Sequence, residues 1–414
     1  MFHSTSREWL AASVLSQSAD SFVAYLQEHQ FEAATVQVYL RVVGHFGRWL
    51  TEQGLPLSGV NELAVKRFVA EHLHECRCPA PRQRGKPNIR AALAHLLEVL
   101  RNRGLISTPL LGPLAVHEEL TDFDAYLDGI AGLAAATRTS RRMWVRKFLL
   151  DRFGNGPIRI DRLKPGDIAA FLRNNCGTYT PGTCGVLGGS LRSYFRFRAL
   201  QFGDRVEPLS AAVPTVARWR LDTLPKHLTA EEVRRFLAAF DRNSSVGKRS
   251  FAMARCLVDL GLRAGEVAAI ELEDLRWREG TLAVSGGKSR RVDILPLPDL
   301  TGRAIVEYLR NARPHSDSRA LFLRHRAPLD VAITAEFVRG AVRRAFASCG
   351  LGDRYTGTHV LRHTAAQRML CAGASLKEVA DVLRHRSLDT TTIYTKVNLP
   401  RLVAIAAPWP EERP

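Results

Sequence analysis

Near its carboxyl end the chain carries Thr358-His359-Val360-Leu361-Arg362-His363, then Leu383-Arg384-His385 and Thr390-Thr391-Thr392-Ile393-Tyr394. Upstream, Gly261-Leu262-Arg263-Ala264-Gly265-Glu266 adds a second arginine, and Gly286-Gly287-Lys288 adds a lysine on a turn. Arg263, Lys288, His359, Arg362, His385 and Tyr394 thus supply two guanidiniums, an ammonium, two imidazoles and a phenol. That set suits metal-free transfer of a phosphoryl group to tyrosine. A phenol has a pKa of about 10 and attacks poorly until a base or a positive field helps its proton leave. Guanidinium forks match the oxygens of a phosphodiester. His359 and Arg362 are three residues apart, so at a helix start both address the same oxygen atoms.

The elements that must hold these groups are mostly helical. The amphipathic run Phe22-Val23-Ala24-Tyr25-Leu26 recurs as Phe123-Asp124-Ala125-Tyr126-Leu127. Ala33-Ala34-Thr35 answers Ala135-Ala136-Thr137, Phe46 answers Phe148, and Val60 to Leu63 answers Ile160 to Leu163. Each repeat closes on a helix stopped by glycine, Gly104 and Gly203. An offset steady near one hundred residues indicates a duplicated helical domain. Pro208 to Lys226 holds three prolines and little periodicity, which predicts an extended linker. Thr229 then sits three residues before Glu232, a capping-box spacing ahead of Val233, Phe236 and Leu237. Alternation in Thr281 to Ser285 and Arg291 to Leu295 around Gly286-Gly287 predicts a β-hairpin with Lys288 at its tip. Helices resume near Thr301. The expected division is residues 1–112 and 113–207 as helical domains, 208–227 as linker and 228–414 as the carboxyl-terminal domain.

Composition sets the outer bounds. Fifty-nine lysines and arginines against 41 acidic residues give a net charge of +18, a surplus that marks a surface meeting polyanions. A hydrophobic share of 46% is ordinary for folded protein and argues against disorder. No stretch reaches the roughly eighteen apolar residues a membrane helix needs. Met1 to Ser16 lacks the basic and apolar segments of an export signal. Seven scattered cysteines argue against a disulfide framework and for a reducing, cytoplasmic setting.

The ordered motifs resemble those of the tyrosine recombinase family, the phage integrases and chromosome-dimer resolvases. Gly261, Leu262, Arg263 and Glu266 match its first box; Lys288 lies eight residues before Pro296, as the family's turn lysine lies before a strand-ending proline. His359, Leu361, Arg362 and His363 match the His-x-Leu-Arg-His box, and Leu383 and His385 stand where the Leu-Gly-His box lies, nine residues before Tyr394. Arg384 departs from the usual glycine, adding charge and removing backbone freedom. The resemblance covers about the last 185 residues, with weaker similarity before them. It implies a mainly α fold with a small β-hairpin or sheet, in which two tandem helical, SAM-like DNA-binding domains precede the catalytic domain. It further implies a Tyr394 nucleophile, Arg263 and Arg362 on the non-bridging oxygens, His359 aiding the phenol, His385 donating a hydrogen bond, and Lys288 protonating the leaving 5′-oxygen. The product would be a 3′-phosphotyrosine, with no cofactor. Glu266 reads as an orienting partner and His363 as a buried, hydrogen-bonded histidine.

For grip on double-stranded DNA, Arg138, Arg141, Arg142, Arg146 and Lys147 lie along one helix, and Arg192, Arg196 and Arg198 along another. The matching helix of the first repeat, with Gln37, Val38 and Tyr39, is less cationic. The resemblance implies a homotetramer on paired sites, with accessory recombinases as further partners and a tail from Val397 to Ile405 that docks in cis or in trans. Length and the extra repeat suggest integration or transposition of a mobile element. A type IB topoisomerase and a catalytically silent DNA-binding accessory are the alternatives. His72, His74, Cys76 and Cys78 alternate as metal-compatible donors. An extended segment would align all four and a helix would scatter them; the spacing matches no common ligand pattern, so no metal site is assigned.

Overall fold

The computed structural model describes residues 4–79, 85–107, 113–215, 226–285 and 292–384. These are mainly helical, with one three-stranded antiparallel sheet. They fall into two compact units, one from residues 58–64 and 101–220, the other from 1–57, 65–100 and 221–414.

In the first of these, helices Leu114–Gly129, Ala135–Phe153, Pro165–Cys176 and Pro181–Phe202 enclose an aromatic core of Phe123, Phe148, Phe171, Tyr194 and Phe195. Thr180 caps the last helix by accepting the Thr183 amide, and Pro181 occupies its first turn, where a missing N–H costs nothing. The start of the expected linker is helical instead of extended, and residues 216–225 lie outside the described residues. Glu207–Ala211 is a helix, and Leu209 and Val213 are buried in the same aromatic core. Pro208 sits in the first turn of that helix, so it starts the element instead of interrupting it.

The other unit holds most of the first repeat, whose elements follow the same order. Ala33–Glu52 corresponds to Ala135–Phe153, the 3-10 turn Leu57–Gly59 to Ile160–Arg162, and Lys86–Asn102 to Pro181–Phe202. The terminal glycines of both repeats, Gly104 and Gly203, adopt positive φ, as helix ends require. Of the two conformations open to residues 72–78, the chain takes helix first and leaves it only at the end. Glu62–Arg67 continues through one π turn, Phe68–His72, into the α turn Leu73–Glu75, and the helix ends only at Cys76.

The carboxyl-terminal part of this unit opens with the expected capping box. Thr229 accepts the Glu232 amide at 3.2 Å, and Glu232 accepts the Thr229 amide at 2.8 Å. Helices Ser245–Asp259, Asp299–Asn311, Ala335–Ser348 and His359–Cys371 surround a core that includes Phe236, Leu257, Tyr308, Phe322 and Phe346. The sheet is β1 (Leu275–Arg276), β2 (Thr281–Ser285) and β3 (Val292–Pro296), with Leu282 opposite Leu295 and Ser285 opposite Val292. The two predicted hairpin strands are therefore present, with one more pairing on their far side. Among the described residues no helix is long and apolar enough to cross a membrane. All seven cysteines are free thiols.

Candidate active site

Helix His359–Cys371 is placed by Leu361, Ala365, Ala366 and Leu370, all buried. Arg362 shares that inward side and is only 4% exposed. A buried guanidinium must be hydrogen-bonded to persist. Its Nη1 donates to the Gly261 carbonyl at 2.7 Å, and its Nη2 donates to the Leu383 carbonyl. Three stretches distant in sequence are thereby tied together: the arginine helix, the segment entering Arg263 and the segment leading to His385. Gly261 permits this approach. Its φ is +60°, and a Cβ there would stand 2.5 Å from Leu383 Cδ2 and 3.2 Å from Ala365 Cβ.

Arg263 caps the short helix Ala264–Ala268. The Glu266 carboxylate accepts both the Arg263 amide and its Nη1, each at 2.7 Å. It also accepts Arg384 Nη2 at 2.6 Å, in a pair almost fully removed from water. Burial would raise the Glu266 pKa. The backbone hydrogen bond from Arg263, the Arg384 charge and the Arg263 side chain outweigh it and hold the carboxyl below its ordinary value. Glu266 thus orients two arginines. Arg384, the departure from the family pattern, has φ +55°, which costs a non-glycine residue roughly 1–2 kcal/mol. A charge-assisted hydrogen bond to a buried carboxylate, about 1.5–3 kcal/mol, offsets that strain.

His359 opens its helix and is exposed as a whole. Its pKa lies below the ordinary imidazole value, first through desolvation, then through the charges of Arg362, Arg263 and Arg339. One imidazole therefore feels both family arginines. Arg339, on helix Ala335–Ser348 and paired with Glu336 at 2.9 Å, is a third cation that reading of the sequence missed. It lies outside every motif, and only folding brings its helix near. His363 is half-buried, and its pKa falls to about 4, through burial first and then the fields of His359, Arg362 and His227. Of the six residues singled out, Arg263, His359 and Arg362 come together. Lys288, His385 and Tyr394 lie outside the described residues, as does the apolar tail from Val397 to Ile405.

The eight basic residues assigned to DNA contact lie on helices Ala135–Phe153 and Pro181–Phe202. Several have structural partners. Arg138 pairs with Asp124 and Asp128, and Arg142 reaches Asp124 at 3.3 Å. Arg192 donates to the carbonyls of Val213 and Pro214, and Arg198 pairs with Glu119 at 3.4 Å while covering the Phe202 ring. Lys147 donates to Tyr179 Oη at 2.9 Å and is exposed, like Arg146 and Arg196. Arg141 donates to Ser193 Oγ at 2.7 Å. Its pKa is lowered by burial first and then by the like charge of Arg196. Two arginines held close despite repulsion make an electropositive point on this pair of helices.

Known proteins bear on this arrangement. The model of the Phage integrase family matches residues 226–400. The protein y4rA of Sinorhizobium fredii, assigned as an integrase/recombinase, is 34% identical over 394 residues, 94% of this chain and 93% of its own. Tyrosine recombinase XerD of Lacticaseibacillus casei is 28% identical over 295 residues, 70% of this chain and 97% of its own. Among solved structures, XerH site-specific recombinase in a post-cleavage complex with palindromic difH substrate superposes with a TM-score of 0.55. That match has 19% identity and covers 86% of this chain and 97% of the other. At such identity it shows a shared fold.

Proposed function

From the premise that the chain belongs to the phage integrase family of tyrosine recombinases, we propose that it cuts and rejoins DNA through a covalent tyrosine intermediate. Tyr394 attacks a phosphodiester in line, giving a 3′-phosphotyrosine and a free 5′-hydroxyl. Arg263 and Arg362 neutralise charge on the non-bridging oxygens. His359, kept largely neutral by its surroundings, accepts the phenolic proton. His385 donates a further hydrogen bond, and Lys288 protonates the departing 5′-oxygen. The phosphodiester's free energy stays in the tyrosine linkage, so religation needs neither ATP nor a metal ion.

The observation that carries this reading is the double hydrogen bond of Arg362 to the carbonyls of Gly261 and Leu383. It gathers the segments bearing Arg263, His359 and the approach to His385. The proposed organisation is a helical repeat to about residue 112, a second helical DNA-binding domain, and a catalytic domain from about residue 228. It acts as a homotetramer on paired sites in the cytoplasm. Integration or transposition of a mobile element fits a length that y4rA shares and XerD does not.

A nicked suicide substrate carrying the recombination site tests the chemistry. Wild-type protein becomes covalently attached to the DNA, and Tyr394→Phe gives no adduct while binding the duplex normally. An undiminished adduct from Tyr394→Phe overturns the nucleophile assignment. Relaxation of any supercoiled plasmid without recombinants would move the reading to a type IB topoisomerase.

A further inference from the structure

His45, His72, Cys76 and Cys78 bring four ligand atoms within 4.8 Å of one another, far from the strand-transfer residues in sequence. His45 lies on the buried side of helix Ala33–Glu52, edge-on to Phe68. The π turn Phe68–His72 shifts the helix register by one residue, as such turns often do at functional sites. It aims His72 Nε2 at His45 Nε2, 3.1 Å away. The chain then leaves the helix at Cys76, with ψ 116°, and Cys76 and Cys78 are buried on either side of the exposed Arg77. Cys76 Sγ stands 3.3 Å from His45 Nε2, and Cys78 Sγ stands 3.7 Å from His72 Nε2. His74, in the same motif, points elsewhere and is exposed.

We propose that His45, His72, Cys76 and Cys78 form a closed, tetrahedral structural site for a zinc ion within the first repeat. Zinc–sulfur bonds near 2.3 Å and zinc–nitrogen bonds near 2.0–2.1 Å give tetrahedron edges of about 3.3 Å between nitrogens and 3.6 Å between nitrogen and sulfur. The 3.1, 3.3 and 3.7 Å separations lie within a few tenths of an ångström of these. Hydrogen bonding alone fits less well. Each imidazole nitrogen presents one hydrogen or one lone pair, yet each Nε2 here faces another Nε2 and a sulfur together. A central cation uses all four lone pairs at once. Two thiolates and two neutral imidazoles also balance Zn²⁺, so the buried complex carries no net charge.

The site belongs to the first repeat alone. Phe46 corresponds to Phe148, so the counterpart of His45 is Lys147, which is no ligand under these conditions. The ion ties Ala33–Glu52 to the segment ending the next helix. The position that carries an exposed cation in the second repeat serves folding in the first.

The inference is independent of the recombinase reading and has its own test. Full-length protein made in zinc-supplemented medium should carry about one zinc per chain by elemental analysis. Its cobalt-exchanged form should show the visible bands of tetrahedral cobalt and a thiolate charge-transfer band in the near ultraviolet. His45→Ala and Cys76→Ser should each lose the metal, whereas His74→Ala keeps it. If those two variants misfold, His45→Cys, a conservative ligand exchange, should retain about one equivalent. Chelator-stripped wild type titrated with zinc against a chromophoric competitor gives the affinity directly. Metal-free wild type that takes up no zinc, or full zinc content in both His45→Ala and Cys76→Ser, overturns the site.

Discussion

Arg384 donates to Glu266 across 2.6 Å while its own backbone holds φ +55°. The same carboxylate receives the amide and guanidinium of Arg263. One buried acid therefore links the strained turn before His385 to an arginine of the candidate active site. Substitution separates the two effects. Arg384→Ala keeps the strained backbone and loses the pair, so it should lower stability by about 2–3 kcal/mol. Arg384→Gly loses the pair but removes the strain, and should recover roughly 1 kcal/mol of that loss. Urea unfolding of the two variants checks this; equal midpoints would show that the positive φ carries no cost.

The two arginines of the site should fail in different ways. Arg263 retains 43% side-chain exposure, and Glu266 keeps Arg384 when it is removed. Arg263→Ala should cost no more than about 1 kcal/mol of stability, yet slow DNA cleavage by about 10²-fold or more. Arg362→Ala removes the bridge between the Gly261 and Leu383 carbonyls and should cost about 2–4 kcal/mol as well as activity. Arg362→Lys should not restore it, because an ammonium lacks the planar fork. Paired denaturation and single-turnover cleavage measurements separate the two. Similar stability losses in both alanine variants would contradict the assignment.

His363 should make this unit acid-sensitive. Its folded pKa of about 4 lies below the roughly 6.5 of an unfolded chain. Between these values the unfolded state binds more protons, so stability rises with pH. The contribution is complete above pH 6.5 and is lost as pH falls through the window toward 4. Its size is on the order of 2–3 kcal/mol. His363→Asn should flatten the urea midpoint between pH 6.5 and 4.5. An unchanged slope would mean another group titrates there.

On the second helical repeat, position should decide what an arginine does. Arg196 is exposed beside Arg141, whereas Arg198 is mostly buried against Glu119 and Phe202. Arg196→Ala should reduce the salt dependence of DNA binding by about one unit of log–log slope, with stability unchanged. Arg198→Ala should mainly destabilise, by about 1–2 kcal/mol, through lost packing and loss of the ion pair to Glu119, which keeps the Tyr194 hydroxyl. Fluorescence anisotropy across a salt series, with thermal melts, reads both. A larger slope change in Arg198→Ala would reverse the assignment.

Local rules made much of this protein legible from its residues. The Thr229–Glu232 capping box and the alternating strands at Thr281–Ser285 and Val292–Pro296 depend on neighbours a few residues away. Their signals therefore survive in one dimension. The identities of Arg263, His359 and Arg362 could be read for the same reason, since their motifs are contiguous. Pro208 misled because proline both breaks helices and begins them, and only the burial of Leu209 and Val213 decides between the two.

Other features exist only through contacts between distant segments. Nothing near Arg362 announces that its guanidinium binds the carbonyls of Gly261 and Leu383, which lie 101 residues before it and 21 residues after it on the chain. Nothing near Arg384 signals that Glu266 offsets its backbone strain. His45 joins His72, Cys76 and Cys78 from a different helix, and His74 is turned away by the register of one π turn. Sequence alone specified which chemical groups were present and which segments would fold. Burial and long-range packing decided which groups meet, because desolvation makes a charge or a ligand lone pair demand a partner that only the folded chain can bring.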